Sequence, residues 1–373
     1  MDNSSASPMD IYRETMGMSL VDRFTVLTSI GDECIQEDEL WFLLKRKATP
    51  VCYVWFEPST PMNITEGILK AIYVNKMVKA GFTVKVMIAD LFALIYKYGY
   101  NLDQVRTVGS YNIEMWKAAG MDLERVELVW FSDELNHHPA NYWPLAFDVS
   151  RKSTVDQIAR CCSIMESFLP DLLPGAELLY PCLQIAAILS QKADMWLFST
   201  DQRDASMIAR SYAENIKGQN KPIILLHNML PSLLEKPELQ RRGDPARTVF
   251  MEDGADILSF KMEKAFCPPK LALGNPCLEY IKYVIFPLFG KFEVVQEEMD
   301  GGTKTFSSME ELVVDYESGV VDSANVKLAF EKSLNKILQP VHDYFWDNKG
   351  AMALFCSLKP FLLFQEYQRA RRE

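Results

Sequence analysis

The sequence predicts an α/β protein, with a Rossmann-like doubly wound parallel sheet followed by a mainly helical C-terminal domain. Three observations favour this fold class. Short apolar runs rich in β-formers alternate with helix-like stretches over most of the chain. The alternation stops near residue 260, where Pro268 and Pro269 precede stretches with helical spacing. Hydrophobic residues make up 49% of the 373 residues, which is enough for two domains with their own cores.

The elements follow in order along the chain. Residues 1–14 predict a disordered lead-in, and residues 15–48 carry apolar positions at helical spacing. Continuous apolar runs predict five buried parallel strands, at residues 51–56, 83–89, 126–131, 195–198 and 223–226, with a helix over residues 64–80 after the first. Ligands of such sheets bind beyond the carboxyl ends of the strands. This nominates Asp90, Asp133, residues 199–202 and His227.

The C-terminal part reads as helices at residues 276–289, 308–316 and 325–345, with a strand at residues 293–297. We therefore expect a Rossmann-like domain over residues 15–262 and a helical domain over residues 263–373.

Charge and composition narrow the classes of function. The net charge of −11 disfavours nucleic acid, because phosphate contacts need a basic face. No apolar run is long enough to cross a bilayer, and the N-terminus lacks the features of a secretory signal. The eight cysteines form no C-x-x-C pair, so we expect buried thiols and no metal site in a cytoplasmic protein.

One segment carries a family resemblance. Tyr53 to Gly67 reads Y-V-W-F-E-P-S-T-P-M-N-I-T-E-G, which resembles the Y-D-G-F-E-P-S-G-x-x-H-I-A-Q-G turn of eukaryotic and archaeal tyrosyl-tRNA synthetases. Ordered matches extend from Ile30 to about Tyr344 and most resemble the plant cytosolic type. The resemblance implies a class I synthetase catalytic domain, a helical anticodon-binding-like domain and a homodimer.

The positions that would hold ATP depart from the family pattern. The histidine that resembles a phosphate ligand is Asn63, and the histidine or glutamine three positions on is Glu66. The K-M-S-K-S loop is replaced, leaving only Arg241 and Arg242 as cations, while His227 matches a position near the adenine. Such contacts are worth roughly 3–4 kcal/mol each in comparable sites. We therefore expect no ATP cofactor and at most a weak residual tyrosine activation.

The amino-acid pocket is partly kept. The family residues that face the substrate ammonium match Tyr180, Gln184 and Gln202, and all three are present. The phenol oxygen would be held by Tyr53 and by an aspartate that is Ala187 here. Bulky residues, Trp55, Trp196, Leu197 and Phe198, replace small or polar ones. Sites built around a hydroxyl discriminate strongly for it, so we expect an altered side-chain preference. The alternative is that these apolar side chains fill a pocket that no longer binds a ligand.

The anticodon end is altered as well. The family's H-P-x-D-L-K appears as residues 322–327, Asp322 to Lys327, and the aromatic residue that stacks on the anticodon resembles Asp300. An acid in place of a stacking ring weakens RNA binding, so tRNA is an unlikely partner.

The sequence leaves three hypotheses. The first is a synthetase-like protein repurposed as an enzyme or binder for a ligand with an amine or amino-acid head. Its expected catalytic groups are Glu66, Tyr53 and Asp90, with Asp201 at the substrate; Glu57 is a further carboxylate expected near the cleft. The second is a non-catalytic protein that acts by interaction. The third is a residual ATP-dependent tyrosine–tRNA ligase that uses Arg241 and Arg242.

Overall fold

A computed structural model of the chain describes residues 18–96, 101–161, 175–215, 221–235, 244–296 and 302–358. The predicted lead-in at residues 1–14, Arg241, Arg242 and Asp300 therefore lie outside the described residues. Within those ranges, none of the helices combines the length and the apolar character that crossing a bilayer requires. The chain forms two compact units, one from residues 18–59, 73–109 and 122–229, the other from residues 60–72, 110–121 and 230–358.

The first unit contains a six-stranded sheet of order β1-β6-β5-β2-β3-β4. The strands are β1 (Glu33–Ile35), β2 (Val51–Phe56), β3 (Thr83–Ile88), β4 (Val126–Trp130), β5 (Met195–Ser199) and β6 (Ile223–His227). Strands β2 to β6 pair in parallel, which confirms the predicted α/β fold and all five predicted strands. Their apolar residues are buried because helices cover both faces of a parallel sheet.

The helical spacing of residues 15–48 predicted helices there and gave no sign of the short strand that the structure adds. Two helices are present, α1 (Leu20–Thr28) and α2 (Glu37–Arg46), but β1 lies between them and pairs antiparallel with β6. A three-residue strand is too short to show a period of two, so its sequence gives no signal against the helical spacing around it.

Helices connect the strands and begin and end as local chemistry dictates. They are α3 (Lys70–Lys79), α4 (Asp90–Tyr96), α5 (Leu102–Ala118), α6 (Phe131–His137), α7 (Pro139–Lys152), α8 (Val155–Cys161), α9 (Gly175–Ser190) and α10 (Arg203–Glu214). A π-helical turn, Thr65–Leu69, precedes α3 in the predicted helix at residues 64–80. Such turns are rare and recur at functional sites. Ser19 begins α1 with a capping box, in which Asp22 accepts from the Ser19 N–H.

The second unit is mainly helical. Its helices are α11 (Ala255–Lys264), α12 (Pro276–Tyr280), α13 (Phe286–Phe289), α14 (Met309–Ser318) and α15 (Ser323–Asp347), with a π-helical turn, Ile281–Ile285, joining α12 to α13. A hairpin of β7 (Phe292–Val295) and β8 (Thr303–Phe306) packs with them, so the predicted strand at residues 293–297 has a partner that the sequence did not indicate. The predicted domain boundary after residue 262 stays a prediction.

Candidate functional site

Aromatic rings fill the interior of the first unit beside β2 and β5. The two strands pair in parallel with Tyr53 opposite Trp196, so Tyr53, Trp55, Trp196 and Phe198 face the same side of the sheet. Tyr53 stacks on Trp196 with ring centroids 4.9 Å apart, and Trp196 stacks on Phe198 at 5.3 Å. Trp55 meets Phe92 edge-on at 4.9 Å. Trp196 and Phe198 are 0% and 1% exposed, so bulky side chains occupy this face.

The carboxylate of Glu57 accepts hydrogen bonds from two polar groups of this aromatic cluster. Glu57 follows β2 directly, and its Oε1 accepts hydrogen bonds from the Tyr180 hydroxyl and from Trp55 Nε1, the latter at 3.1 Å. Tyr180 lies on α9, with its ring 5.0 Å from that of Phe92. The predicted substrate-binding residues Tyr180 and Trp55 are therefore brought together on one carboxylate. Glu57 was expected near the cleft, but its pairing with Tyr180 had no sequence signal.

Two buried donors nearby have no partner among the described residues. They are Nε2 of Gln184, on α9, and Nε1 of Trp196, on β5. Gln184 is 2% exposed, so water does not replace the missing acceptor at the surface. Buried polar groups are normally hydrogen-bonded, and an unsatisfied one costs about 1–3 kcal/mol. The geometry therefore fits an acceptor group supplied from outside the chain.

The predicted phenol-binding end has changed its hydrogen bonding. Ala187 is fully buried on α9 and presents a methyl group where the resemblance implies an aspartate. The Tyr53 hydroxyl instead donates to Oε1 of Gln191, 3.0 Å away. Burial, with the negative charges of Glu134 and Glu127, raises the pKa of Tyr53, so this hydroxyl keeps its proton. Gln191 had no signal in the sequence because its role depends on the turn that follows α9.

The remaining predicted residues of the first unit have partners of their own. Asp90 is fully buried; its Oδ1 accepts from the Ser132 N–H at 3.0 Å, and its Oδ2 accepts from the Ser132 hydroxyl. Asp201 accepts from Ser199 in the turn Thr200–Gln202, which also carries Gln202. His227 is 2% exposed at the end of β6, with its ring 5.4 Å from that of Tyr73. Their catalytic and binding roles stay predictions.

The part of the nucleotide-turn-like segment that holds Asn63 and Glu66 lies in the second unit, and its polar groups have partners within that unit. Oδ1 of Asn63 accepts from the Glu66 N–H at 2.8 Å, as a helix cap does. The Glu66 carboxylate forms an ion pair with Lys70 Nζ at 2.7 Å, and Lys70 is 3% exposed. The Glu66 carbonyl accepts from Trp116 Nε1 at 2.8 Å. Glu66 four residues before Lys70 is the sequence signal that could have predicted this ion pair.

Two further contacts fix this turn. The Gly67 backbone lies so close to Met251 that an added Cβ would fall 2.3 Å from its sulfur, so only glycine fits without movement. Both carboxylate oxygens of Glu252 lie 3.1 Å from the Met62 N–H, and Oε1 also accepts from the Tyr111 hydroxyl at 3.0 Å. Burial raises the pKa of Glu252 to about 7. Glu252 had no signal in the sequence, because it comes from a distant part of the chain.

The altered anticodon-like segment serves the helix that it begins. Asp322 is the N-cap of α15, and its Oδ1 accepts from the Asn325 N–H at 2.9 Å. Lys327 donates to the carbonyls of Glu263 and Ala265 at 3.0 and 3.1 Å. These residues therefore have structural contacts that account for their side chains.

Known proteins are similar to this chain in sequence and in fold. The model of the family described as tRNA synthetases class I (W and Y) matches residues 45–339. Tyrosine–tRNA ligase 1, cytoplasmic, of Arabidopsis thaliana is 47% identical over 340 residues, which cover 91% of this chain and 88% of the relative. Tyrosine–tRNA ligase 2, cytoplasmic, of the same plant is 46% identical over 91% of this chain, but only 45% of the relative is covered.

Solved structures of tyrosyl-tRNA synthetases have a fold similar to that of this chain. Tyrosyl-tRNA synthetase of Leishmania major in complex with tyrosinol superposes with a TM-score of 0.82 at 34% identity, over 92% of this chain and 52% of that one. The Pyrococcus horikoshii synthetase complexed with L-tyrosine gives a TM-score of 0.81 at 25% identity, over 91% of this chain and 100% of that one. The chain thus spans about half of the longer relatives. It belongs to the tyrosyl-tRNA synthetase family of class I.

Proposed function

We propose that this synthetase-fold chain binds, or acts on, a small molecule with an amine or amino-acid head, without ATP and without charging tRNA. The observation that carries the proposal is the Glu57 carboxylate, held by Tyr180 and Trp55 at the edge of a cluster of aromatic rings. A carboxylate beside aromatic faces suits an ammonium group, which ring quadrupoles attract. The buried donors of Gln184 and Trp196 supply hydrogen bonds to an acceptor on the same ligand. We refer to these five residues as the inner pocket.

Tyrosine is a poor fit to the inner pocket. The ring of Trp196 packs against Tyr53, and Ala187 offers the phenol no acceptor. Sites that select a hydroxyl use buried hydrogen-bond partners, and the loss of such a partner removes the selection. The inner pocket therefore favours a ligand that lacks a tyrosine-like phenol.

ATP chemistry is disfavoured by the state of the former phosphate residues. Asn63 caps the π-helical turn, and Glu66 places a negative charge beside Lys70. A carboxylate in this position repels a polyphosphate, and Lys70 is already paired with it. Residual positive charge at Arg241 and Arg242 remains part of the third hypothesis.

The test is ligand-induced stabilisation of the full chain. Thermal shifts are measured with tyramine, phenethylamine, L-tyrosine, L-phenylalanine and ATP, because a ligand at one hundred times its Kd stabilises the native state by about 2.7 kcal/mol. We expect a shift with an amine that is lost in Glu57→Gln, and none with ATP. An ATP shift, or an amine shift unchanged in Glu57→Gln, would overturn the proposal. If turnover of a bound amine is found, its loss in Glu66→Gln or Tyr53→Phe tests their predicted catalytic roles.

A working tyrosine–tRNA ligase is the second candidate, favoured by 47% identity to a relative that bears that name. It predicts tyrosine-dependent exchange of pyrophosphate into ATP and transfer of tyrosine to its tRNA. Exchange above background that is lost in Gln184→Ala would favour the ligase over the repurposed protein. If neither this assay nor the amine panel gives a signal, the remaining hypothesis is a non-catalytic protein that acts by interaction.

We further propose a homodimer in the cytoplasm, the compartment that the two plant relatives' names state. Apolar side chains stand exposed on α7 and the neighbouring helices: Trp143 at 42%, Phe147 at 70%, Val155 at 79% and Leu179 at 55%. Trp143 and Phe147 also lie side by side, with ring centroids 6.3 Å apart, and exposed apolar groups that lie together are typical of a protein interface. A second copy of the chain is the occupant that the family resemblance implies.

A further inference from the structure

A separate cleft of about 260 Å³, lined by none of the inner-pocket residues, opens on the first unit. Three segments form it: α6, the start of α7 and the turn after α9. We define this outer cleft by six of its lining residues: Phe131, Glu134, His138, Tyr142, Gln191 and Lys192. The family resemblance does not point to this cleft. Among the predicted site residues, only Tyr53 relates to it, because Tyr53 contacts Gln191.

Opposite charges line the outer cleft without neutralising each other. Glu134 and Lys192 form no ion pair and no side-chain hydrogen bond with the described part of the chain. Elsewhere in the first unit, lysines do pair with acids, as Lys47 does with Asp194 at 2.6 Å. An unpaired carboxylate and an unpaired ammonium that line the same cleft present complementary charges to a ligand that carries both.

Lys192 also occupies an unusual backbone position. Its φ is 50°, in the left-handed region where glycine or asparagine commonly ends a helix. A side chain with a Cβ is strained there, by about 1–3 kcal/mol. A lysine at this place therefore adds a cationic residue to the lining of the cleft at a backbone cost that glycine would avoid. Strain of this kind clusters at ligand sites.

The apolar lining and the volume of the cleft limit the size and the chemical class of the ligand that it can hold. Phe131 and Tyr142 meet edge-on with ring centroids 5.4 Å apart, which gives the cleft an apolar part of its lining. The volume lies below the ~300–1,000 Å³ of drug-sized sites, so a nucleotide is too large and an amino acid fits. Gln191, whose Oε1 accepts from the Tyr53 hydroxyl, separates the outer cleft from the aromatic cluster.

We propose that the outer cleft binds a small zwitterion of the amino-acid class. Lys192 receives the carboxylate, Glu134 receives the ammonium, and the side chain of the ligand lies on Phe131 and Tyr142. The Asn141 and His138 side chains at the rim add hydrogen bonds. This site is distinct from the inner pocket around Glu57, so either can exist without the other.

The experiment is isothermal titration of the full chain with L-phenylalanine, phenethylamine and 3-phenylpropionate. The last two probes each lack one of the two charges. The cleft variants are Lys192→Gln and Glu134→Gln, and the matched control is Lys45→Gln, which removes an exposed ammonium from α2 far along the chain. Glu57→Gln reports on the inner pocket.

We expect L-phenylalanine to bind more tightly than either single-charge probe, and each cleft variant to weaken its Kd at least tenfold. Lys45→Gln should leave that Kd unchanged. Binding that survives both cleft variants but is lost in Glu57→Gln would overturn the outer cleft and favour the inner pocket. Equal binding of all three probes, or none at millimolar concentration, would also overturn the proposal, whatever the inner pocket does.

Discussion

The Glu252 carboxylate makes the stability of the second unit depend on pH. Burial raises its pKa from 4.5 to about 7, while it holds the Met62 N–H and the Tyr111 hydroxyl. Asp253, next in the chain, adds negative charge that opposes ionisation. The folded state therefore prefers the protonated carboxyl, and the unfolded chain does not share this preference. Stability from Glu252 is fully present below about pH 4.5 and is lost as the pH rises to about 7.

The magnitude follows from the shift. A difference of about 2.5 pKa units corresponds to about 3 kcal/mol. The residue keeps some exposure, so we expect an observed loss of about 1–3 kcal/mol between pH 4.5 and 8. Glu252→Gln keeps an acceptor for Met62 and cannot ionise, so its stability should lack this component of the pH dependence.

Urea unfolding at pH 5, 6, 7 and 8 measures the effect as the difference between the variant and the parent chain. We expect Glu252→Gln to gain stability relative to the parent as the pH rises, most steeply between pH 5 and 7. The exposed Glu263→Gln on α11 is the matched control and should show a constant difference. Parallel stability curves for Glu252→Gln and the parent would refute the assignment of a raised pKa to this carboxyl.

Three further changes have expected outcomes. Glu66→Ala removes the carboxylate that pairs with the Lys70 ammonium, which is 3% exposed, and should cost about 1.5–3 kcal/mol in urea unfolding. An unchanged midpoint would mean that the pair contributes nothing. Trp196→Ala removes a fully buried ring and should cost about 3–5 kcal/mol, and millimolar indole should restore part of the loss in a thermal melt if the space stays open. Phe147→Asp, beside Trp143 on α7, should halve the mass seen by light scattering without lowering the Tm, whereas an unchanged mass would exclude this face from the dimer.

The sequence predicted the parts of the fold that carry a periodic or continuous apolar signal. Strands β2 to β6 were predicted because each is a buried run of β-formers ended by polar residues. Strand β1 has three residues and β8 reads Thr-Lys-Thr-Phe. Neither segment is long or apolar enough to show the alternation or continuous apolar run that predicts a strand. The predicted helices at residues 308–316 and 325–345 agree within two residues with Met309–Ser318 and Ser323–Asp347, because their apolar spacing is long and regular.

The site was only partly predictable, for a physical reason. Motif matching places Tyr180, Gln184 and Ala187 on one helix, because their spacing is fixed by the chain. It does not give the partners that distant segments supply, such as Glu57 for Tyr180 or Gln191 for Tyr53. Those contacts depend on side-chain packing between elements, which no local pattern encodes. The ion pair of Glu66 is the exception, because i,i+4 spacing within one helix does encode it.

Two explanations compete for the aromatic residues in the inner pocket, and their energetics differ. Drift that fills an unused pocket has no reason to keep polar atoms that the filling buries. An indole N–H left without an acceptor costs about 1–3 kcal/mol, and phenylalanine at position 196 would fill much of the same space without that cost. The unsatisfied donors of Trp196 and Gln184, together with the Glu57 carboxylate that orients Tyr180, form a polar end inside an apolar cluster. That combination favours a pocket reshaped around a different ligand over a pocket that has simply closed.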